Sequence, residues 1–264
     1  MKVLITGGAG FIGCNWAARL RRDGHTVTVL DNLSRKGAAA NLAWLREQGA
    51  PGPLKFVQAD VRDAAAVAEA AKGQNAIYHL AAQVAVTTSV INPREDFEIN
   101  ALGTFNVLEA ARLAETQPVV VYASTNKVYG GMEDVRVSEE STRYRYTDLP
   151  LGLPETQPLD FHSPYGCSKG AGDQYVRDYA RIYNLPTVVF RQSSIYGTRQ
   201  FGVEDQGWLA DFVIATVKGH PLNIYGDGKQ VRDMLWVDDL LDAYEIALKH
   251  PEKIAGKIYN VGGG

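Results

Sequence analysis

Three features that the sequence has little or none of exclude several classes of protein. Only two of its 264 residues are cysteines, Cys14 and Cys167, and neither belongs to a CxxC or histidine-rich motif, which argues against a structural disulfide and against a metal site. Basic residues do not outnumber acidic ones, since the formal net charge is -3, so the chain has no general attraction for nucleic acid or anionic membranes. No apolar run approaches the roughly 20 residues that span a bilayer. These absences favour a reduced, cytoplasmic protein without metal, nucleic acid or membrane partners.

What the sequence does contain is an alternation of two hydrophobic periodicities. Short, β-rich apolar runs alternate with amphipathic stretches rich in Ala, Leu and Arg. Strands separated by helices imply right-handed crossovers and a parallel sheet that is covered on both faces. We therefore predict an α/β fold with a Rossmann-type, doubly wound parallel sheet. The predicted strands are residues 2–6, 25–30, 54–59, 76–80, 118–123 and 187–191, and the predicted helices are residues 11–23, 65–72 and 100–115.

Two long irregular segments interrupt this pattern. Residues 130–162 are rich in Pro, Gly, Glu, Tyr and Thr and show no sustained periodicity. A loop of that length is usually functional or disordered, and its position between a strand and a helix predicts a cover over an active site. The second segment, residues 196–208, carries the polar residues Arg199, Gln200, Asp205 and Gln206.

A glycine-rich motif follows the first predicted strand and opens the first predicted helix. Gly7, Gly10 and Gly13 have the spacing GxxGxxG, and without side chains there the backbone and the helix N-terminus can approach a pyrophosphate. Asp31 ends the second predicted strand, where a carboxylate accepts hydrogen bonds from the hydroxyls of an adenosine ribose. A 2′-phosphate would meet like charge there, so the pattern favours NAD. Arg35 and the lysine after it leave NADP open as an alternative.

A tyrosine and a lysine lie four residues apart near the start of another predicted helix. Ser163 is predicted to cap this helix, so Tyr165 and Lys169 share one helical face and can meet over one reacting atom. A lysine cation about 5 Å away favours phenolate by roughly 3 kcal/mol at an effective dielectric of about 20, which predicts a lowered Tyr165 pKa. Thr125 follows an apolar strand at the edge where ligands bind, and its hydroxyl can bond the oxygen that Tyr165 deprotonates. Ser124 is expected to bond backbone instead.

In their order along the chain, these motifs resemble the extended short-chain dehydrogenase/reductase superfamily. The resemblance covers essentially the whole chain and rests on GxxGxxG, Asp60-Val61, His79-Leu80-Ala81-Ala82, Ser124-Thr125, Val128-Tyr129-Gly130 and the Tyr165 and Lys169 pair. Longer stretches resemble the CDP-tyvelose (CDP-paratose 2-) epimerases, namely residues 31–37, 96–100, 124–130, 159–169, 199–201, 205–208 and 228–233.

The resemblance implies an isomerase, an NAD-dependent nucleotide-sugar epimerase that holds NAD tightly and recycles it within each turnover. In that reaction Tyr165 takes the proton of the sugar C2 hydroxyl while hydride leaves C2, the 2-keto sugar turns over, and hydride returns to its other face. Lys169 would bind the nicotinamide ribose, and Thr125 would orient the hydroxyl. The implied cofactor site consists of Gly7, Gly10, Phe11, Ile12, Gly13, Asp31, Asn32, Ser34, Arg35, Asp60, Val61, Leu80, Ala81, Ala82, Gln83, Asn100, Tyr165 and Lys169.

The resemblance also implies a site for a nucleotide diphosphate sugar. Arg232 is expected to hold the diphosphate with its guanidinium fork, unless it pairs with Asp233 or Asp238 instead. Residues 87–89 would meet the hexose or cap a helix, and Trp208 would hold the nucleotide or belong to the core. The expected substrate residues are Thr87, Thr88, Ser89, Thr125, Asn126, Arg199, Gln206, Trp208 and Arg232.

Two departures from relatives narrow the expected reaction. Similar nucleotide-sugar 4,6-dehydratases carry Asp-Glu after the catalytic threonine, whereas this chain has Asn126-Lys127, which lacks the acid that eliminates water. Ser194 stands where many members of the superfamily have an asparagine, so the familiar asparagine contact to the substrate phosphate is not expected. We predict inversion of C2 of a CDP-linked 3,6-dideoxyhexose, from CDP-paratose to CDP-tyvelose. The alternatives are a UDP-hexose 4-epimerase with the same catalytic residues and a non-catalytic NAD-binding sensor of the same fold.

The same resemblance divides the chain into two regions. Residues 1–190 are expected to form the NAD-binding Rossmann domain with the catalytic tyrosine and lysine. Residues 191–264 would form part of the nucleotide-sugar-binding region, interleaved with returning strands of the sheet. Residues 257–261 read as a strand followed at once by a terminal glycine run, which predicts a truncated C-terminus. In relatives, helices equivalent to residues 100–115 and 165–183 form a two-fold bundle, so a homo-oligomer, a dimer or a tetramer, is expected.

Overall fold

A computed structural model describes residues 1–203 and 206–263 and contains a seven-stranded parallel sheet. Asp205, from one of the stretches that carry the family resemblance, and Gly264, from the terminal glycine run, lie outside the described residues. The strands are β1 (Lys2–Thr6), β2 (Thr26–Asp31), β3 (Leu54–Gln58), β4 (Ala76–His79), β5 (Val119–Thr125), β6 (Val137–Glu139), β7 (Tyr144–Tyr146), β8 (Thr187–Gln192), β9 (Ser194–Tyr196), β10 (Met234–Trp236) and β11 (Lys257–Val261). The large sheet has the order β11-β8-β5-β4-β1-β2-β3, while β9 pairs with β10 and β6 with β7.

Helices connect these strands and cover both faces of the large sheet. A π-helical turn, Glu98–Leu102, joins two of them, and a 3-10 turn, Asn126–Tyr129, follows β5. Within the described ranges, no helix is long and apolar enough to cross a membrane. The helices are α1 (Phe11–Arg22), α2 (Ala38–Glu47), α3 (Ala64–Ala71), α4 (Val86–Ile91), α5 (Pro93–Phe97), α6 (Gly103–Leu113), α7 (Ser163–Tyr183), α8 (Trp208–Lys218), α9 (Val237–Lys249) and α10 (Pro251–Ile254).

The core consists of two apolar layers, one on each face of the sheet. Successive residues of β1 alternate between the two layers, because side chains along a strand point to opposite faces. Val3 and Ile5 pack with Trp16 of α1 and Tyr244 of α9, whereas Leu4 packs with α3, α6 and α7. A sheet buried on both faces reads as short, continuous apolar runs, and that is why its strands can be located in the sequence.

The predicted fold class is confirmed, and each predicted strand lies within two residues of an observed one. Residues 257–261 form β11, which returns to the edge of the large sheet beside β8. The sequence pattern does not predict α2, α4 or α5. At α2 no side chain caps the first turn, and Gly37 precedes it in a left-handed conformation, with φ 86°, so the usual start signal is missing.

Residues 130–162 were expected to cover the active site, but the structure places them elsewhere. The segment folds into the hairpin β6–β7, which packs against residues 227–229. The Tyr144 hydroxyl donates to Asp227 Oδ2 at 2.5 Å, and the ammonium of Lys229 pairs with Glu139 at 2.5 Å. These polar contacts hold the hairpin to one side, and none of residues 130–162 lines the cavity described below.

Candidate active site

A cavity of about 590 Å³ opens at the C-terminal ends of β1, β2, β4 and β5, where ligands bind in open parallel sheets. It extends from the glycine loop after β1 to residues 193–195, 199–201 and 206–209 beyond β8. Every expected cofactor residue lines this cavity except Gln83 and Asn100. Six of the expected substrate residues also line it, namely Thr87, Thr125, Asn126, Arg199, Gln206 and Trp208.

The glycine loop has no room for side chains. Gly7 has φ 70°, and a Cβ atom on it would lie 2.6 Å from the backbone nitrogen of Ala81. A Cβ on Gly13 would lie 2.4 Å from the carbonyl oxygen of Gly7. Helix α1 begins directly after this loop, so its free N–H groups face the cavity end that the glycines keep open. The loop therefore fits the pyrophosphate of a dinucleotide.

Replacing Gly13 by alanine should raise the dissociation constant for NAD at least about tenfold. The added methyl group would meet backbone atoms that cannot move without distorting the loop. Titration calorimetry on protein stripped of NAD measures the effect. Gly49→Ala is the matched control, because a Cβ on Gly49 has no atom within 4 Å. Unchanged affinity in Gly13→Ala would contradict the placement of the pyrophosphate.

Two carboxylates mark the adenosine end of the cavity. Asp31 is buried and accepts hydrogen bonds from the backbone N–H groups of Ala9 at 3.0 Å and Leu33 at 2.8 Å. Burial raises its pKa, against the pull of these N–H groups. Asp60 accepts two bonds from the Arg62 guanidinium, and these bonds lower its pKa to about 2. The fixed carboxylate of Asp31 suits ribose hydroxyls and would repel a 2′-phosphate.

The catalytic helix α7 begins at Ser163, one residue before the predicted first helical residue. Ser163 Oγ accepts a bond from the backbone N–H of Gly166 at 3.2 Å, which is the capping role expected of it. Tyr165 and Lys169 are both buried and both line the cavity. Thr125 also lines the cavity, and its side chain acts to lower the pKa of the Tyr165 phenol. The three predicted catalytic residues are therefore brought together.

Hydrogen bonds fix both Thr125 and Lys169. Thr125 Oγ1 accepts a bond from the backbone N–H of Lys127 at 3.2 Å, and its hydroxyl donates a long bond of 3.5 Å to Asn126 Oδ1. Lys169 Nζ donates to the carbonyl of Ala123 at 2.6 Å and lies 4.3 Å from the centre of the Tyr122 ring. Strand β5 thus positions both the hydroxyl and the ammonium around Tyr165.

The expected lowering of the Tyr165 pKa is not found in the protein alone. Burial raises the pKa of Tyr165 to about 12, although the neighbouring Thr125 side chain opposes this. Burial likewise lowers the pKa of Lys169 to about 7, against the charges of Asp173 and Asp96. Desolvation penalises both charged forms more than the two residues stabilise each other, because each lies in a low-dielectric interior. The spacing of Tyr165 and Lys169 along the helix contains no information about this desolvation cost.

Gln83 and Asn100, two of the expected cofactor residues, do not line the cavity and bond each other beside it. Asn100 Oδ1 accepts a bond from Gln83 N at 2.9 Å, and Asn100 Nδ2 donates to the carbonyl of Gln83 at 3.0 Å. Asn100 Nδ2 also donates to Ser168 Oγ at 3.1 Å. The buried amide therefore joins the loop after β4 to the catalytic helix. Asn100 thus supports the cavity wall from behind.

Three expected substrate residues lie outside the cavity lining. Ser89 is buried and accepts a bond from the backbone N–H of Tyr165 at 3.2 Å, which is the capping alternative considered for residues 87–89. Thr88 is exposed on α4. Arg232 is exposed, its guanidinium donates to the carbonyl of Val231 at 3.0 Å, and it forms no ion pair with either neighbouring aspartate.

A buried network that the sequence motifs do not reveal lies beneath the catalytic residues. Asp173, one turn after Lys169 on α7, forms two hydrogen bonds of 2.9 Å with the Arg191 guanidinium, and both side chains are almost fully buried. Ser124 donates to the same carboxylate at 2.7 Å, so the expectation that it bonds backbone is wrong. The spacing of four residues after Lys169 was the available signal, but only the fold brings Arg191 of β8 to it. The network ties α7 to β5 and β8.

His79 is buried at the end of β4 and bonds hydroxyls with both ring nitrogens. The distances are 2.7 Å to Thr6 Oγ1 and 3.0 Å to Thr104 Oγ1. Burial lowers the pKa of His79 to about 3, with the Lys169 charge acting in the same direction. A neutral, fully bonded imidazole here is part of the core and does not line the cavity.

This histidine should make the fold sensitive to acid. Below about pH 6.5 the unfolded chain takes up a proton that folded His79 refuses down to about pH 3, so the unfolded state binds more protons and stability falls as the pH falls. From pH 7 to pH 5 the His79 contribution is about 2 kcal/mol. Urea unfolding at both pH values should show a smaller loss in His79→Gln than in the wild type, by about that amount. Equal losses would mean that His79 titrates normally.

Comparison with known proteins identifies the family to which this fold and this site belong. Residues 3–262 match the NAD dependent epimerase/dehydratase family. The chain belongs to this family. It is 49% identical to a CDP-paratose 2-epimerase of Salmonella typhi, over 100% of this chain and 79% of that protein. It is 36% identical to a UDP-glucose 4-epimerase of Mycolicibacterium smegmatis, over 100% and 78%.

Solved structures agree with this assignment. The UDP-glucose 4-epimerase of Thermotoga maritima with UDP-glucose superimposes with a TM-score of 0.81 at 31% identity, over 99% of this chain and 77% of that chain. The UDP-glucuronic acid 4-epimerase of Bacillus cereus, solved with NAD, has a TM-score of 0.81 at 26% identity, over 100% and 78%. The protein is accordingly an NAD-dependent epimerase, an isomerase whose cofactor is NAD.

Proposed function

We propose that this epimerase inverts C2 of a CDP-linked 3,6-dideoxyhexose, converting CDP-paratose and CDP-tyvelose into each other through a transient 2-keto sugar. The proposal depends on the residues that follow Thr125, because Asn126 and Lys127 line the cavity where a dehydratase would need an acid. It is also supported by 49% identity to a CDP-paratose 2-epimerase over the whole chain.

NAD supplies the hydride acceptor and donor when it is bound. The residues that would hold it are the glycine loop, Asp31 and the two catalytic side chains on α7. Tyr165 takes the proton from the sugar hydroxyl and gives it back after the sugar has turned over. The Thr125 hydroxyl, which donates at 3.5 Å to Asn126 Oδ1 when no sugar is present, would donate to the same oxygen instead and so orient the sugar hydroxyl. Lys169, held by the carbonyl of Ala123, is placed to bond the nicotinamide ribose.

The cavity is poorly suited to eliminating water from the sugar. Among the described lining residues, the carboxylates are Asp31 and Asp60, and both lie at the adenosine end. Beside Thr125 stands Lys127, an exposed cation whose backbone N–H bonds Thr125 Oγ1. A dehydratase needs a general acid near the leaving hydroxyl, so this arrangement supports epimerisation over dehydration.

The alternative reaction is inversion of C4 of a UDP-hexose by the same three catalytic residues, since two relatives are UDP-glucose 4-epimerases. Separate incubations with CDP-paratose and UDP-glucose, followed by NMR at C2 and C4, distinguish the two. We expect inversion of C2 in the CDP-sugar. Conversion of the UDP-sugar alone would overturn the assignment to C2 and leave the tyrosine mechanism intact. Binding of NAD without conversion of either sugar would favour the alternative of a non-catalytic sensor.

We further propose a homodimer formed by α6 and α7. Both helices expose large apolar side chains, including Phe105 (40%), Leu113 (69%), Tyr175 (52%) and Ile182 (63%). An apolar face of this kind marks an interaction surface in a water-soluble protein.

The two free cysteines support the proposal of a reducing, cytoplasmic location.

The dimer proposal predicts that Ile182→Arg lowers the sedimentation coefficient from that of a dimer to that of a monomer. A buried, unpaired guanidinium in the interface would cost more than the apolar contact contributes. Val217→Arg is the control, since Val217 is 83% exposed on α8, away from this face. A monomeric wild type would contradict the proposal.

A further inference from the structure

The segment Thr198–Phe201, here called the strap, reaches from the substrate side of the cavity to the cofactor side. It follows β9 and makes its first contact with α1, the helix that the glycine loop opens. Asn15 Nδ2 donates to the carbonyl of Thr198 at 2.9 Å, and the Thr198 hydroxyl bonds Asn15 Oδ1 at 3.3 Å. The beginning of the strap is therefore fixed against the cofactor half of the molecule.

A buried asparagine joins the strap to the glycine loop itself. Asn41 of α2 is 2% exposed, and its Nδ2 donates to the carbonyl of Ala9 at 3.2 Å and to the carbonyl of Arg199 at 3.3 Å. One amide thus holds the glycine loop and the strap together. Its other polar atom, Oδ1, is buried and has no partner among the described residues, although Asn41 lines the cavity.

Apolar and cationic contacts fix the rest of the strap. The Phe201 ring packs on Gly37, where a Cβ atom would lie 2.1 Å from the ring, so the glycine after the basic pair is needed for this contact. The Arg199 guanidinium lies 4.6 Å from the centre of the Trp44 ring on α2. Beyond the strap, Arg35 donates to Gln206 Oε1 at 3.1 Å.

We propose that the strap is the outer wall of the NAD site and is what keeps NAD bound through each turnover. Arg199, Gln200 and Phe201 line the cavity beside the glycine loop, and their anchors lie on the elements that flank a dinucleotide's pyrophosphate and adenosine ribose. A dinucleotide in this cleft can leave only when the strap detaches. An epimerase must return hydride to the sugar that gave it, so losing the cofactor midway would end the reaction at the keto sugar.

Arg199 lies on the cofactor side of the cavity and not in the substrate site that the sequence suggested. Arg199 was expected to hold the nucleotide sugar, but its backbone and its guanidinium are both attached to α2, on the cofactor side. The inference rests on NAD being the cofactor and does not depend on which sugar carbon is inverted.

The test is the rate at which bound NAD exchanges with isotopically labelled NAD, measured by filtration and mass spectrometry with no sugar present. The double variant Asn15→Ala/Phe201→Ala should exchange at least about tenfold faster than the wild type and should contain less NAD after purification. Leucine keeps an apolar contact with Gly37 that alanine lacks, so Phe201→Leu should exchange its bound NAD as slowly as the wild type. The matched control is Phe161→Ala, because Phe161 is similarly exposed (37% against 40% for Phe201) and does not line the cavity.

An exchange rate within twofold of the wild type in the double variant would overturn the proposal. The same conclusion follows if Phe161→Ala accelerates exchange as much, since the effect would then be one of general stability. Circular dichroism of each variant after removal of NAD separates loss of the fold from loss of the wall. Thr198→Val removes a single hydroxyl and provides a milder second variant. Because no sugar is used, failure here is distinct from failure of the C2 assignment.

Discussion

Replacing Tyr165 by phenylalanine should lower kcat for sugar epimerisation by about a thousandfold and leave the fold and the bound NAD unchanged. The substitution removes one oxygen, the buried phenol oxygen beside Thr125, and with it the group that takes and returns the substrate proton. Positioned acid–base groups typically contribute between about 10²- and 10⁴-fold. The rate is measured by NMR of the sugar, and NAD content by chromatography after denaturation.

A second tyrosine of the same helix provides the control. Tyr175 is 52% exposed on α7 and does not line the cavity, so Tyr175→Phe should keep kcat within about twofold of the wild type. Full activity of Tyr165→Phe would mean that another group carries the proton, and the tyrosine mechanism would then be wrong.

Replacing Asp173 by asparagine should lower the free energy of unfolding by about 3–5 kcal/mol. The Asp173 carboxylate is fully buried and holds both the Arg191 guanidinium and the Ser124 hydroxyl. Without it a buried cation is left unpaired, and that desolvation cost is far larger than the loss of an exposed ion pair. Urea unfolding, followed by circular dichroism, measures the change.

The double variant Asp173→Asn/Arg191→Gln distinguishes loss of the charge balance from loss of packing. It removes both charges, so it should recover a large part of the stability that Asp173→Asn loses. Arg136→Gln is the surface control, because Arg136 pairs with Asp148 in a setting where its own side chain is 80% exposed, and it should leave the melting temperature unchanged. Equal stability of Asp173→Asn and wild type would contradict the account of the network.

Much of the fold is predictable because its strands are buried on both faces. Runs such as Val119–Val121 in β5 have no polar position, which identifies them as strands of a parallel sheet. The catalytic residues follow from the same logic, since Thr125 ends one strand and the start of α7 faces it across the cleft. Residue spacing along single elements therefore accounts for the fold class and for the catalytic trio.

The remaining features depend on pairs that are far apart in the chain. Arg191 meets Asp173 only because β8 lies beside β5 and beneath α7. Phe201 meets Gly37, and Arg199 meets Trp44, across more than 150 positions, and no local pattern encodes such contacts. The raised Tyr165 pKa depends on burial, which the sequence spacing to Lys169 does not contain.

The assigned reaction is tested most directly by incubating the purified protein with CDP-paratose in D₂O and reading the product by proton NMR. We expect CDP-tyvelose inverted only at C2, with the original hydrogen still on C2, because hydride that leaves and returns within the closed site does not exchange with solvent. Deuterium at C2 would indicate inversion by proton removal from carbon and would contradict the proposed hydride mechanism. Conversion of UDP-glucose alone, with CDP-paratose unchanged, would contradict the assignment of the reaction to C2.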